Sequence, residues 1–234
     1  MKAASAPLMR WSWLFAALLV AGVALIARQV PTFGFVAFDD DHNIYLNPHL
    51  GPPSWPGVEW ALTDWGYARR VMPLGWLGFS VVFGWAGLEP AGWHVVGVLL
   101  HAASALLLWV VLRTLLTSGE TKTRAPRSAW VEASAFFGAA FWAWHPLRAE
   151  SVGWASGLLY EQAHVFLFLA AWAWLRATSP RGRAVSVLLY AGSLLSYPVA
   201  LGVAPMFGLL ARWRGAAQRV RRCRLRASPA RCSR

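Results

Sequence analysis

Apolar and polar positions fall in long blocks, not in short alternations. Residues 11–27 are uncharged, which meets the roughly 17–25 residues that a membrane-crossing helix needs. Further apolar blocks cover 92–116, 129–144 and 158–175, the last interrupted early by Glu161, Gln162 and His164. Two shorter ones, 184–196 and 199–213, are separated by Ser196-Tyr197-Pro198, where the proline breaks any continuous helix. Residues 29–90 differ: they are rich in Pro, Gly, Asp and Trp, and suggest short interfacial helices at 56–68 and 71–86. The pattern predicts an all-α, polytopic transmembrane bundle of about six spans (11–28, 92–116, 129–144, 158–175, 184–196 and 199–213). The loop 29–90 is large and outer; the Arg-rich tail 214–234 reads as disordered or out of frame. A signal peptide at 11–27 is the rival reading, weakened by the length of the run and the lack of a small-x-small site before Pro31.

Composition agrees. Of 234 residues, 57% are apolar and 14% charged, with 16 Trp; an ordinary soluble domain carries about 25% charged residues. Net charge is +12, which in a soluble protein would suggest nucleic acid. Here the charges have another pattern. With the N-terminus inside, only Arg28, Arg69, Arg70 and Arg148 fall on the outer side, and of the acids only Glu120 and Glu132 fall inside. That is the positive-inside bias, and tryptophans such as Trp60 and Trp144 on one side and Trp13 and Trp172 on the other form two belts. The expectation is an integral protein of the plasma (inner) membrane with both termini cytoplasmic, its partner the lipid bilayer and not nucleic acid. An even span count keeps the arginine tail inside. The two cysteines, Cys223 and Cys232, make neither a disulfide framework nor a CxxC motif.

Four groups of residues carry candidate chemistry. Asp39-Asp40-Asp41 follow the first span in FVAFDDDHNIYLNPHL. A carboxylate there suits a general base towards an acceptor hydroxyl, or Asp39 and Asp40 hold a divalent cation through oxygen ligands; a solvated acidic turn is the plain alternative. His145, Arg148 and Glu150 lie within six residues at a membrane boundary, and arginine suits bidentate phosphate recognition. The alternative is a helix stop at Pro146 with an arginine snorkelling to headgroups. Glu161 and His164 share a helix face near the outer end of a span, where ionisable groups usually face a bundle interior or a cavity. His94 and His101 are about two turns apart, roughly 10 Å, too far to share a metal unaided, and a packed, hydrogen-bonded role suits them better. No GxxxxGK[ST] or GxSxG motif occurs.

The acidic cluster, then PLGWLGFSVVFGWAGLEPAGWHVVGVLLHAASALLLWVVLR, FWAWHPLRAESVGWASGLLY and SLLSYPVALGVAP, stand in an order and spacing that resembles the N-terminal membrane half of the GT-C glycosyltransferases. The likeness runs over about residues 10–212 and is nearest to bacterial relatives of the transmembrane, tetratricopeptide-repeat protein O-mannosyltransferases. It implies a multi-span helical enzyme with a polyprenyl-phosphate sugar donor, a protein or glycan acceptor and inverting transfer. It places the base at Asp39 or Asp40 and the donor phosphate near His145, Arg148 and Glu150, with Asp41, Glu161 and His164 lining the cavity. No cofactor is required, although a divalent cation is compatible. The sequence departs from the family where the stretch after the HP-x-x-x-E segment reads GLLYEQ, where Tyr197 stands in place of a common Lys, and after Trp213. The family carries about twice as many spans, so a truncated enzyme of little activity is expected. Two other functions compete: an inactive scaffold retaining the fold, and, less well supported, a small transporter with Glu161 and His164 as proton relay.

Overall fold

The computed structural model describes residues 6–118, 129–210 and 212, and every regular element among them is helical. The Arg-rich tail lies outside the described residues. Helix α1 (Ala6–Ile26) takes in Arg10 and most of the uncharged first block, and its span continues through a 3-10 turn at Val30–Thr32. A π-helical turn (Asp41–Tyr45) follows. Helix α2 (Trp55–Thr63) begins where Ser54 Oγ accepts the Gly57 N–H at 3.2 Å. Helix α3 (Pro73–Ala86) has proline at its start and stops at Gly87, whose φ of 56° lies in the left-handed region that glycine enters without penalty.

The long helices are α4 (Pro90–Ser118), α5 (Ala129–Ala143) and α7 (Leu158–Arg176), with the short α6 (Arg148–Gly153) in the stretch expected as a bare connection. Helix α8 (Pro180–Ser196) begins earlier than its apolar block because Ser179 Oγ caps the Gly182 N–H. A 3-10 turn at Pro198–Val203 opens a further apolar helix, Pro198–Leu210.

Among the described residues, three helices are long and apolar enough to cross a membrane: Ser12–Thr32, Pro90–Thr117 and Leu158–Arg176. The sequence expected about six spans. The other segments are helical but shorter: α5 has 15 residues, about 22 Å of helix, against a hydrocarbon core of about 30 Å.

Helix α4 packs against α1, α5 and α7, and α7 against α8. Two apolar cores result. One joins Leu19 and Val23 to Ala105, Trp109, Ala135, Phe136, Ala139 and Ala143; its alanines let helix backbones approach closely. The other joins the loop 29–90 to the membrane helices through Ile44, Met72, Trp76, Phe79, Trp93, Leu158 and Leu159. Gly75 closes this second core: a Cβ there would stand 2.6 Å from the Ser196 carbonyl oxygen. Only glycine lets α3 lie against the end of α8, and that contact sets the position of Tyr197.

Candidate functional site

The three aspartates meet three different environments. Asp40 is 0% exposed. Its Oδ2 accepts the Val36 N–H at 2.9 Å and its Oδ1 the Ser156 N–H at 2.8 Å, so it ties the first loop to the α6–α7 junction across 116 positions. Both oxygens are occupied by backbone donors. Asp41 is half-buried, and its Oδ1 accepts the His42 N–H at 2.7 Å. Asp39 is 29% exposed, and its Oδ1 lies 3.8 Å from Arg70 Nη2. That distance gives an ion pair but no hydrogen bond. Among the described residues, no side-chain hydrogen bond is made by either Asp39 or Arg70.

Arg70 arrives on a constrained turn. Ala68 and Arg69 have φ of 54° and 52°, the left-handed region that non-glycine residues rarely adopt. The turn is held by Tyr67, whose hydroxyl donates to the His42 carbonyl at 2.8 Å and whose ring stacks on His42 at 4.9 Å. Burial pushes the Tyr67 phenol above its ordinary pKa, so it stays a donor. Beyond the turn, the Arg70 guanidinium lies 5.8 Å from the Tyr197 ring centre, and Tyr197 lies 4.6 Å from Tyr160. Asp39, Arg70, Tyr160 and Tyr197 thus converge from four separate segments. The sequence reading missed Arg70 and both tyrosines as site residues. It used Arg70 only for topology, and nothing local in the chain pairs position 39 with 70.

The second group sits around a cavity of about 250 Å³ between the end of α1, the Val30–Thr32 turn, α4 and residues 143–153. His145 and Arg148 line it together with Val23, Ala27, Phe33 and Val152, so a mostly apolar chamber has a cationic lip. His145 Nδ1 accepts the Leu147 N–H at 3.2 Å, and the Arg148 guanidinium lies 5.3 Å from the Trp142 ring centre. Glu150 is exposed and lines no part of this cavity; Arg148 takes the indole face and not the Glu150 carboxylate. Asp39, Asp40 and Asp41 are also absent from its walls.

Glu161 and His164 lie together within the bundle, Glu161 fully buried and His164 partly so, and neither lines this cavity. Glu161 is 0% exposed; its Oε2 lies 3.0 Å from His101 Nδ1 and 3.8 Å from His164 Nδ1. His101 Nε2 donates to the Ala143 carbonyl at 2.9 Å. It thereby satisfies a carbonyl at the end of α5 that the helix itself leaves unpaired. The reason for the placement is this pairing: a carboxylate inside a span turns towards polar partners within the bundle, here the two imidazoles. His101 itself reaches the cavity wall. No group of three His, Cys, Asp or Glu among the described residues is placed to hold a metal ion.

Comparison with known proteins gives two partial similarities. The chain is 34% identical over 133 residues to the protein O-mannosyl-transferase Tmtc3 of Drosophila melanogaster, covering 50% of this chain and 14% of that protein. It is 27% identical over 146 residues to the human protein O-mannosyl-transferase TMTC4, covering 59% of this chain and 20% of that protein. The chain therefore spans a fifth or less of the length of these curated relatives. No protein-family model matches the chain, and no solved structure does. The relatives come from an insect and from human; they relate the chain distantly to membrane O-mannosyl-transferases and single out no bacterial branch.

Proposed function

We propose that this chain is part of a membrane glycosyltransferase that moves a sugar from a polyprenyl-phosphate donor to a hydroxyl acceptor at the outer face. The observation that carries the reading is the contrast inside the aspartate triplet. Asp40 has both oxygens committed to backbone donors, whereas Asp39 is partly exposed and keeps its carboxylate free of hydrogen bonds. Asp39 is then the base. It takes the proton of the acceptor hydroxyl as that oxygen attacks the anomeric carbon; the bond to the phosphate oxygen breaks on the opposite face, inverting the centre. The polyprenyl phosphate leaves with the electron pair, and a cation stabilises it. The apolar cavity beside Arg148 and His145 suits the lipid chain of such a donor. The names of the two relatives make mannose the first sugar to try.

The test is transfer from a radiolabelled polyprenyl-phosphate mannose in membranes expressing the chain, wild type against Asp39→Asn and Asp40→Asn. Transfer lost in Asp39→Asn with an unchanged melting point supports the assignment. Equal rates in wild type and Asp39→Asn overturn it. Absence of transfer from any polyprenyl-phosphate sugar favours the scaffold reading.

A further inference from the structure

The assignment of Asp39 leaves its cationic neighbour without a role. Arg70 is 33% exposed, stands beside Asp39 at 3.8 Å, and spends none of its five N–H donors on a hydrogen bond among the described residues. An arginine recruited only to neutralise a carboxylate would close to a bidentate pair at about 2.7–2.9 Å. This one stops short. Two consecutive left-handed residues, Ala68 and Arg69, deliver it, and such conformations persist only where surrounding contacts enforce them. The enforcing contacts are Tyr67 bonded to His42, the Asp64 carboxylate accepting the Tyr67 N–H at 3.0 Å, and the Arg70 N–H bonded back to the Tyr67 carbonyl at 3.3 Å. On the far side stand Tyr160 and Tyr197, half-buried rings tilted at 52° to one another.

We infer that Arg70, with Tyr160 and Tyr197, forms an anion site beside Asp39 that takes the phosphate of a glycosyl phosphate. The unused guanidinium fork matches two phosphate oxygens. The tyrosine pair supplies an apolar face with hydroxyls at its edge, which suits a hexose ring. Arg70, and not Arg148, then meets the phosphate nearest the reacting centre, while Arg148 remains with the apolar cavity. The inference rests on the glycosyltransferase reading for its context, but its test needs no turnover.

The full chain in nanodiscs is titrated with glucose 1-phosphate, mannose 1-phosphate and inorganic phosphate at one low ionic strength, with binding read by calorimetry. Wild type should bind both hexose phosphates more tightly than inorganic phosphate. Arg70→Gln should weaken all three by roughly 10- to 100-fold, the worth of a lost charge-assisted hydrogen bond. Arg70→Lys should fall between, because it keeps the charge and loses the fork. Tyr197→Ala should weaken the hexose phosphates and spare inorganic phosphate. Asp39→Asn should tighten phosphate, since its carboxylate competes for the same cation. Arg69→Gln removes an equal charge from the same turn and should change nothing. If Arg70→Gln loses its near-ultraviolet dichroism, the Arg70→Lys and Tyr197→Ala results decide. Wild type binding no phosphate, Arg70→Gln binding as wild type, or binding lost only in Arg148→Gln would each overturn the inference. Arg70-dependent binding without transfer in any variant sinks the base assignment and leaves this site standing.

Discussion

Two kinds of ion pair coexist in this chain. Between the membrane helices, Arg113 Nη2 meets Glu132 Oε1 at 2.9 Å and His101 meets Glu161 at 3.0 Å, with both carboxylates almost wholly buried. At the loop end, Arg70 and Asp39 stand 3.8 Å apart, each about a third exposed. The interior contacts are short because a carboxylate taken out of water needs close polar partners, and removing one costs more there than at a surface. The loop pair is under no such compulsion, since water already solvates it. Its backbone is nevertheless held in a costly shape to keep the two groups near. A short buried pair therefore signals packing, and a loose, half-solvated pair on a constrained turn signals availability for a ligand.

That contrast breaks first at Asp39. Asp39→Asn should lower transfer by about 10²–10⁴-fold, the usual worth of a general base, with no change in thermal stability. A variant that loses both together would put Asp39 among the structural carboxylates. Next comes the interior. Glu132→Ala removes the carboxylate that meets Arg113 Nη2 and should cost at most about 3–5 kcal/mol, the range for breaking a buried pair, read as a lower melting temperature in detergent. Any loss of transfer there should follow the loss of folded protein.

Gly75→Val tests the packing that carries Tyr197. The valine would press on the Ser196 carbonyl and the Leu159 side chain, and overpacking of this kind costs about 1–3 kcal/mol. Because the strain falls one residue from Tyr197, hexose phosphate binding should weaken more than melting temperature predicts. Equal losses of both would detach Tyr197 from the site. Asp40→Asn should cost about 1–3 kcal/mol through the buried Ser156 N–H and Val36 N–H, and lower transfer only as far as it loosens the loop.

The helical class was legible because apolar blocks of membrane length leave little alternative. Proline or serine stands at several of the observed helix starts, at Pro73, Pro90 and Ser179-Pro180 among them. Residues 145–157 hid α6, since a six-residue helix carries no periodic signal. The span count was less legible: 129–144 is mostly apolar, with Glu132 in its first turn, but its described helix has only 15 residues. Proximity was legible where it was local, as for His145 and Arg148, which share a cavity wall. It was hidden where it depended on distant segments. Positions 39, 70, 160 and 197 meet only because Asp40 pins the loop to Ser156 and Gly75 pins α3 to the end of α8. Neither contact has a signature in the chain. The pairing of Glu161 with His101 was hidden for the same reason, because the two lie 60 positions apart.

The smallest effect is the sharpest test of the triplet. Asp41 sits next to the two aspartates that matter, carries the same charge, and belongs to the same acidic run. Its carboxylate reaches only the adjacent His42 N–H, at the start of the π-helical turn. Asparagine keeps an oxygen that can accept the same bond. Asp41→Asn should therefore change stability by no more than about 0.5 kcal/mol and transfer by about twofold at most. A site built from bulk negative charge, such as a diffuse cation site, would respond to any of the three residues. A site built from one free carboxylate, one braced and one local cap gives three unequal results, with Asp39 far ahead of Asp40 and Asp41 near zero. A large loss in Asp41→Asn would replace the single base at Asp39 with a shared charge cluster.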